Sequence, residues 1–381
     1  MTAVHQFLPV FAAGDAIGNH VLRIRDTLRA AGYESEIFAD DIHPPMRRQA
    51  RSFLDFRAPA DGRGVHLLYH LSTGSRMAAW LAEQTAPVAV DYHNITPAEY
   101  FDRWQPQAAA VAREARAEMR RLASSTRYGL ADSSYNALEL TEEGYPDTAV
   151  VPILIDFTDF DSTAPDAATL TRLRRQADGG GAHWLFVGRV AAHKCQHDIV
   201  AAFAAYRQLF DPRARLSIVG GRTLLLYARA LERLADELGV ADAVDFTDNL
   251  KFPQLLAHYR AADVFVSLSE HEGFCVPLVE AMHLGVPTVA YASTAVPETV
   301  GDATLLLADK DPLTVAVAVG RVLTDDVVRK ALIEAGHRRV EHFSLVNNQR
   351  RLLEALEPRI ADLGGSRRPC RGDTPHPPGH G

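Results

Sequence analysis

Residues 263–301 read DVFVSLSEHEGFCVPLVEAMHLGVPTVAYASTAVPETVG, and this stretch alternates the patterns of strand and helix. Residues 264–268 form a short apolar, β-branched run, which predicts a buried parallel strand. Residues 272–275 predict a turn, and Pro277 suits the start of a helix, because its missing N–H would be unpaired there anyway. Residues 286–291 predict the next strand. The order strand, helix, strand predicts a parallel α/β sheet.

Two acidic residues frame the predicted turn, with seven residues between them. Glu272 follows the strand, and we place Glu280 on the first turn of the helix. Open α/β sheets bind ligands at the carboxyl ends of their strands, so both carboxylates are expected to face one crevice. The free N–H groups at the helix start are expected to attract phosphate. Taken alone, the spacing is also that of an ordinary βα unit.

The composition indicates a two-domain globular protein. The chain has 381 residues, more than a single hydrophobic core usually supports. It contains 47% hydrophobic and 23% charged residues, as globular proteins in water do. Its net charge of −8 argues against a general nucleic-acid binder, so an anionic ligand would require a locally positive pocket.

The cysteines and the N-terminus predict a cytoplasmic location. Cys195, Cys275 and Cys370 are odd in number and lack ligand spacing, so neither a disulfide framework nor a zinc motif is expected. Residues 1–18 lack a basic segment and Pro9 breaks their apolar run, which is not the pattern of a signal peptide. No segment approaches the roughly 18 apolar residues of a membrane span.

A basic pair follows another predicted strand. Residues 184–187 are apolar, and Gly188-Arg189 comes next, with Lys194 five positions after the arginine. A guanidinium binds two phosphate oxygens at once, and an ammonium adds a compact second charge. The pair therefore predicts an anion site in the same crevice as the acids. The alternative is two exposed basic loop residues.

The chain opens with the pattern of a nucleotide-fold domain. Residues 3–11 predict a strand, residues 20–31 a helix and residues 34–38 a second strand. Gly14 lies in the first loop, where the alternative to phosphate contact is a simple tight turn. Asp15 would repel a diphosphate, so we assign it to helix capping or to acceptor hydroxyls.

A helix predicted at residues 107–127 carries three arginines on one face, at spacings of three and four. Arg113, Arg116 and Arg120 suit contact with an anionic acceptor or a membrane surface. A solvated face with ion pairs is the alternative interpretation.

These features together point to a known family. The turn between the two acids, the strands beside it and the Arg189–Lys194 element resemble the signature of the retaining family-4 glycosyltransferases, which have the GT-B fold. Residues 149–156, AVVPILID, resemble the family's crossing between domains. There Ile153 and Leu154 stand where the family has Asn-Gly, so a donor contact from that turn is not expected.

The resemblance implies an α/β fold of the GT-B type, with two facing Rossmann-like domains and an interdomain cleft. Residues 1–152 would form the acceptor domain, and residues 153–344 would form the nucleotide-sugar donor domain. Residues 345–363 would form a helix that packs back on the N-terminal domain. Residues 364–381 are rich in Pro and Gly, which predicts a disordered tail.

The resemblance also implies an activity: retaining, metal-independent transfer of a sugar from GDP-mannose or a UDP- or dTDP-sugar to a hydroxyl of a glycan, lipid or small molecule. His93, at the end of a strand predicted at residues 87–91, is similar to the family's histidine beside the anomeric carbon. Glu280 would bind the ribose hydroxyls, and Cys275 stands where the family often has glycine. The residues implied in catalysis are His93, Glu272, Arg189 and Lys194. The residues implied in donor binding are Gly14, Gly188, Arg189, Lys194, Glu272, Gly273, Phe274, Cys275, Val276 and Glu280.

Two other classes of protein share these features in part. A sugar-nucleotide epimerase or hydrolase would keep the crevice but act on the donor alone, and a non-catalytic partner subunit would keep the core and lose the site. The intact basic pair and acid pair favour the transferase. Neither a metal nor another cofactor is expected. Membrane contact through the arginine face would be peripheral, at the inner surface of the membrane.

Overall fold

The structure, a computed structural model, describes residues 2–177 and 180–364. The tail predicted at residues 364–381 lies outside the described residues, apart from Gly364. The first half of the chain forms a seven-stranded parallel sheet. Its strands are β1 Ala3–Phe11, β2 Ile37–Ile42, β3 Arg51–Ser52, β4 Val65–Leu71, β5 Val88–Tyr92, β6 Thr126–Ala131 and β7 Thr148–Val150. Their order is β3-β2-β1-β4-β5-β6-β7.

The second half forms a six-stranded parallel sheet. Its strands are β8 His183–Val187, β9 Arg215–Val219, β10 Val244–Thr247, β11 Val264–Ser267, β12 Thr288–Tyr291 and β13 Leu305–Leu307. Their order is β10-β9-β8-β11-β12-β13, so β8 and β11 lie side by side at the centre. Adjacent central strands bring their following loops to one edge of the sheet, where ligands of open α/β sheets bind.

Helices connect the strands of both sheets. The N-terminal helices are α1 Ala16–Ala30, α2 Met77–Ala82, α3 Glu99–Asp102, α4 Pro106–Ala123 and α5 Ser134–Glu142. The helices that follow are α6 Thr158–Ser162, α7 Ala167–Ala177, α8 Gln196–Leu209, α9 Leu225–Glu237, α10 Phe252–Ala261, α11 Val276–His283, α12 Val296–Val300, α13 Pro312–Thr324, α14 Asp326–His342 and α15 Leu345–Gly364. Short 3₁₀ turns occupy Pro44–Met46, Phe53–Asp55, Ala192–Lys194 and Ala241–Ala243. None of the described helices combines the length and apolarity that a membrane crossing requires.

This architecture confirms the predicted α/β class with two Rossmann-like domains, and the strand predicted at residues 3–11 is β1. Three predicted positions were wrong. Helix α1 begins at Ala16, because the Asp15 carboxylate accepts a hydrogen bond from the N–H of Gly18 and starts the helix early. Strand β2 begins at Ile37, after an isolated bridge at Glu34. Glu280 lies on the second turn of α11, because that helix begins at Val276.

Helix α15 packs on the N-terminal half of the molecule. Leu352 and Leu356, both fully buried, share a cluster with Val4 of β1 and with Ile24 and Leu28 of α1. Helix α15 therefore returns from the C-terminal half of the chain to pack on the N-terminal half. The exact domain boundaries stay a prediction.

Candidate active site

The basic pair and the first acid meet at the carboxyl edge of the second sheet. Lys194 ends the 3₁₀ turn after β8, and Glu272 lies in the loop after β11. The Nζ of Lys194 donates to Oε1 of Glu272 at 2.6 Å and to Oε2 at 2.7 Å. The carboxylate is buried and the ammonium is largely so. Removing one partner of such a pair would leave the other charge uncompensated.

Arg189 lies between the two halves of the molecule. It lines a cavity of about 360 Å³ together with Ser72 of the N-terminal half and Thr223 of the C-terminal half. The residue as a whole is exposed, and its guanidinium makes no ion pair within residues 2–177 and 180–364. The surrounding protein still desolvates it enough to lower its pKa, and the carboxylates of Asp15 and Glu272 oppose that effect. Arg189 therefore carries a charge that a ligand in the gap can use.

Glu280 is held apart from the basic pair. Its side chain is half-buried, and its Oε2 accepts a hydrogen bond from the hydroxyl of Tyr259 at 2.7 Å. Burial raises the pKa of Glu280, and the Tyr259 bond opposes that shift. Glu272 and Glu280 flank one turn as predicted, but no hydrogen bond or ion pair within the described ranges joins them.

The turn between the acids touches the N-terminal domain. A Cβ at Gly273 would lie 2.6 Å from Cβ of Asn94 and 3.0 Å from Nδ2 of Asn136, so only glycine fits here. Cys275 precedes α11 in a left-handed conformation (φ 72°, ψ 63°), which costs a non-glycine residue about 1–2 kcal/mol. Its thiol is buried, and burial raises its pKa, so it is not a reactive thiol. Phe274 is buried beside it.

The structure encloses the imidazole of His93 in the N-terminal domain. Its side chain is 1% exposed, its Nδ1 lies 3.0 Å from both carboxylate oxygens of Asp132, and its Nε2 lies 2.9 Å from Nδ1 of His70. Burial lowers the pKa of His93, but Asp132 and Asp91 outweigh it and raise the pKa to about 9. In this conformation both ring nitrogens face protein atoms. The predicted place of His93 beside the sugar therefore stays a prediction.

Gly188 and Gly14 occupy loop positions that suit glycine. Gly188 has a φ of 155° between β8 and Arg189. Gly14 has a φ of 74° just before α1, with open space beside it. Val276, the last predicted donor residue, begins α11 and is half-buried.

The arginine face of α4 is neutralised by acids from neighbouring elements. Arg116 pairs with Glu139 at 2.7 Å, and Arg120 pairs with Glu143 at 2.8 Å. Arg113 pairs with Asp102 of α3 in the same way. Ion pairing of each arginine fits the solvated-face interpretation, and membrane contact stays a prediction that these pairs do not support.

The sequence interpretation missed a set of buried polar residues around His93. His20, His70 and Asp91 are each at most 1% exposed. One signal was available, because Asp91 interrupts the otherwise apolar strand β5 and two histidines, His66 and His70, interrupt β4. A charge inside a buried strand needs partners that the sequence alone does not name.

The second half of the chain resembles a family of known proteins, and curated relatives match across both halves. Residues 172–339 match the family described as Glycosyl transferases group 1. D-inositol 3-phosphate glycosyltransferase of Geodermatophilus obscurus is 32% identical over 72% of this chain and 61% of its own length. The enzyme of the same description from Salinispora arenicola is 30% identical over 79% of this chain and 69% of its own. A GDP-mannose-dependent alpha-(1-6)-phosphatidylinositol monomannoside mannosyltransferase of Mycolicibacterium smegmatis is 33% identical over 56% of each chain. The chain thus spans 52–61% of the first three curated relatives.

Solved structures share the fold at low sequence identity. Sucrose-phosphate synthase of Thermosynechococcus elongatus superposes with a TM-score of 0.72 at 19% identity, covering 95% of this chain and 100% of its own. Anabaena HepE in complex with UDP and glucose gives a TM-score of 0.72 at 16% identity, covering 93% and 100%. These similarities extend over both sheets.

Proposed function

Because the chain belongs to the glycosyl transferases group 1 family and has its GT-B fold, we propose that it is a retaining glycosyltransferase that needs no metal for transfer. The observation that carries this proposal is the Lys194–Glu272 pair beside Arg189, at the loops of two adjacent central strands. A cation pair at this edge matches the diphosphate of a nucleotide sugar.

Donor binding would rearrange the buried pair. Without ligand, Glu272 neutralises Lys194 through two short hydrogen bonds. A diphosphate carries more negative charge than one carboxylate, so it draws Lys194 and Arg189 to itself. Glu272 is then free to accept hydrogen bonds from the hydroxyls of the donor sugar, and its charge supports the positive character of the anomeric carbon.

The start of α11 adds uncharged donors to the same site. The first N–H groups of a helix have no acceptor within it, and the helix dipole makes that end attractive to anions. The N–H groups of residues 273–276 therefore stabilise the leaving diphosphate. Farther along the helix, Tyr259 occupies Oε2 of Glu280. The other carboxylate oxygen remains for the ribose hydroxyls.

The acceptor enters from the N-terminal side, through the cavity that Ser72, Thr73 and Arg189 line. The bond from the anomeric carbon to the leaving phosphate breaks, and a bond to the acceptor oxygen forms on the same face. The acceptor proton passes to the leaving phosphate. His93 contributes by holding the Asn94 loop, which contacts the Gly273 turn.

GDP-mannose is the donor that we propose first, because one relative is described as GDP-mannose-dependent. UDP- and dTDP-sugars are the alternatives, since HepE binds UDP and glucose. The acceptor is a hydroxyl of a glycan, a lipid or a small molecule.

The test is donor turnover by matched variants. Lys194→Ala is expected to lower kcat/KM by roughly 100-fold, since a well-placed charged group stabilises a transition state by about 3 kcal/mol. Lys330→Ala, at an exposed lysine of α14, is the control and should match the wild type. Equal turnover in Lys194→Ala, or formation of free sugar or an epimerised donor without any transfer product, would overturn the proposal.

A further inference from the structure

A buried cluster beneath the cleft brings together four side chains that bind metals. His20 comes from α1, His70 from β4, Asp91 from β5, and His93 from the residue after β5. Each has one ligand atom within 4.8 Å of those of the other three. Their side chains are at most 1% exposed.

Hydrogen bonding fixes the tautomer of His70. The Nε2 of Gln6 donates to the carbonyl of Val21 at 3.1 Å, so its Oε1 is the free acceptor. That oxygen lies 3.0 Å from Nε2 of His70, which therefore carries a hydrogen. In the neutral ring, Nδ1 of His70 then presents a lone pair to the cluster.

The same reasoning applies to His93. Its Nδ1 faces only the carboxylate of Asp132, so it carries a hydrogen, and Nε2 faces the cluster. Nε2 of His93 lies 2.9 Å from Nδ1 of His70. Oδ2 of Asp91 lies 3.3 Å from that Nδ1 and 3.6 Å from that Nε2. With His93 neutral, three acceptor atoms would converge, so a cation belongs among them: either the proton that makes His93 an imidazolium or a metal ion.

The dimensions suit a metal ion. A point equidistant from the three atoms lies about 1.9 Å from each, and zinc binds nitrogen and oxygen at about 2.0–2.2 Å, so an ion just outside their plane reaches all three. Asp132 on His93 and Gln6 on His70 are the outer partners that orient metal-binding histidines.

His20 has a different place in the cluster. Its Nδ1 accepts a hydrogen bond from the N–H of Leu154 at 2.9 Å, so its Nε2 carries the hydrogen and donates to Oδ2 of Asp91 at 3.1 Å. This bond orients the carboxylate. The other oxygen of Asp91, Oδ1, is buried and has no hydrogen-bond partner in the part of the chain that the structure describes. A buried carboxylate oxygen without a donor is costly, so Asp91 gains from any positive charge bound at its other oxygen.

We propose that His70, Asp91 and His93 bind one divalent transition-metal ion of the zinc class, which fastens β4 and β5 to α1 and to the domain crossing at Leu154. Two carboxylates, Asp91 and Asp132, then face a double positive charge. The ion makes no contact with the donor in the proposed transfer, where its ligand His93 holds the Asn94 loop, and its binding is measured without that reaction.

A second group of potential metal ligands differs from this cluster because a lysine already lies within it. Cys195, His197 and Asp198 also lie within metal-binding distance of one another. The ammonium of Lys310 already occupies that position, 2.6 Å from Asp198 and 3.4 Å from the Cys195 sulfur. A lysine is therefore built into this group, whereas no lysine or arginine of the described residues pairs with the cluster beneath the cleft, where only a proton on His93 or an added ion can supply the positive charge.

The experiment measures metal in the full chain, purified without a polyhistidine tag or chelator. Elemental analysis is expected to find about one zinc per chain, and cobalt added to the chelated protein should give visible ligand-field bands. His70→Gln should lower the bound metal at least tenfold. His183→Gln is the matched control, because His183 is another buried histidine in a strand. Its Nε2 is hydrogen-bonded to the hydroxyl of Ser217 at 2.8 Å.

The zinc content, cobalt spectrum and melting temperature of the wild type test the proposal even if His70→Gln does not fold. A chain that binds less than a tenth of an equivalent of zinc, shows no cobalt bands and keeps its melting temperature after chelation would overturn the proposal. That outcome would assign the cation to a proton on His93. Glycosyl transfer plays no part in these readings, so failure of the proposed function would be seen separately.

Discussion

At the residue scale, Glu280 is expected to act on stability and on binding in opposite directions. Its side chain is half-buried, and desolvation of its carboxylate raises its pKa, so the folded chain holds the ionised form at a cost. Glu280→Gln keeps an acceptor for Tyr259 and removes that cost. We expect a melting temperature higher by roughly 2–4 °C, the shift that about 1 kcal/mol gives in a domain of this size, and donor binding about tenfold weaker.

The direction of the pKa shift of Glu280 predicts how the stability difference between the wild type and Glu280→Gln depends on pH. A glutamate whose folded pKa is raised loses stability as the pH rises from its unfolded value through its folded value. The stability gain of Glu280→Gln should therefore be largest near neutral pH and vanish as the pH falls below about 4, where unfolded glutamate is protonated too. Calorimetry across this range, with Glu354→Gln at an exposed site of α15 as the control, checks it. A gain that persists in acid would contradict this origin.

The sequence predicted functional residues only where they closely follow the end of a strand. Arg189, Lys194 and Glu272 were identified because basic and acidic residues followed apolar runs, and those runs place them at one edge. The His20–Asp91 contact joins residues 71 positions apart. No spacing rule reaches that far, since the contact depends on how α1 packs against β5.

At the element scale, apolar runs predicted the strands well, because buried parallel strands are apolar on both faces. Helix starts were less certain. A cap decides where a helix begins, and the side chain of Asp15 begins α1 before the apolar periodicity does. For α11, the left-handed Cys275 fixes the start one residue ahead of Pro277. Periodicity does not report such capping geometry.

Helix α15 gives a prediction at this scale. Leu356 is 0% exposed and packs on the N-terminal domain, whereas Val346 on the same helix is 73% exposed. Leu356→Ala should cost about 2–4 kcal/mol through the cavity that it leaves, and Val346→Ala should cost almost nothing. Urea unfolding measures both. If α15 belongs to the N-terminal domain, the loss will appear in that domain's transition, and a loss confined to the C-terminal domain would refute the assignment.

At the scale of the whole molecule, contacts between the halves hold the structure closed. The N–H and hydroxyl of Ser134, at the start of α5, donate to the carboxylate of Glu298 in α12 at 2.8–3.0 Å. Phe101 of α3 is buried in the core of the C-terminal half. These pairings lie far apart in the sequence, so two domains were predictable but their closed arrangement was not.

The Gly273 turn provides the sharpest test of that closure. A methyl group at this position would meet Cβ of Asn94 at 2.6 Å, so Gly273→Ala should keep the two domains from closing while retaining the backbone N–H that the proposed site uses. Asn94 has a φ of 70°, which glycine adopts freely, so Asn94→Gly removes the closer obstacle without strain and leaves the methyl group 3.0 Å from Nδ2 of Asn136, a contact that a small shift relieves. We expect turnover at least tenfold lower in Gly273→Ala and largely restored in the double variant, with Asn94→Gly alone as the control.

The radius of gyration from small-angle scattering should rank the variants in the same way, with Gly273→Ala the most extended. Wild-type scattering and turnover in Gly273→Ala would mean that this contact is not needed for closure, and an uncorrected double variant would mean that the methyl group acts within the site itself.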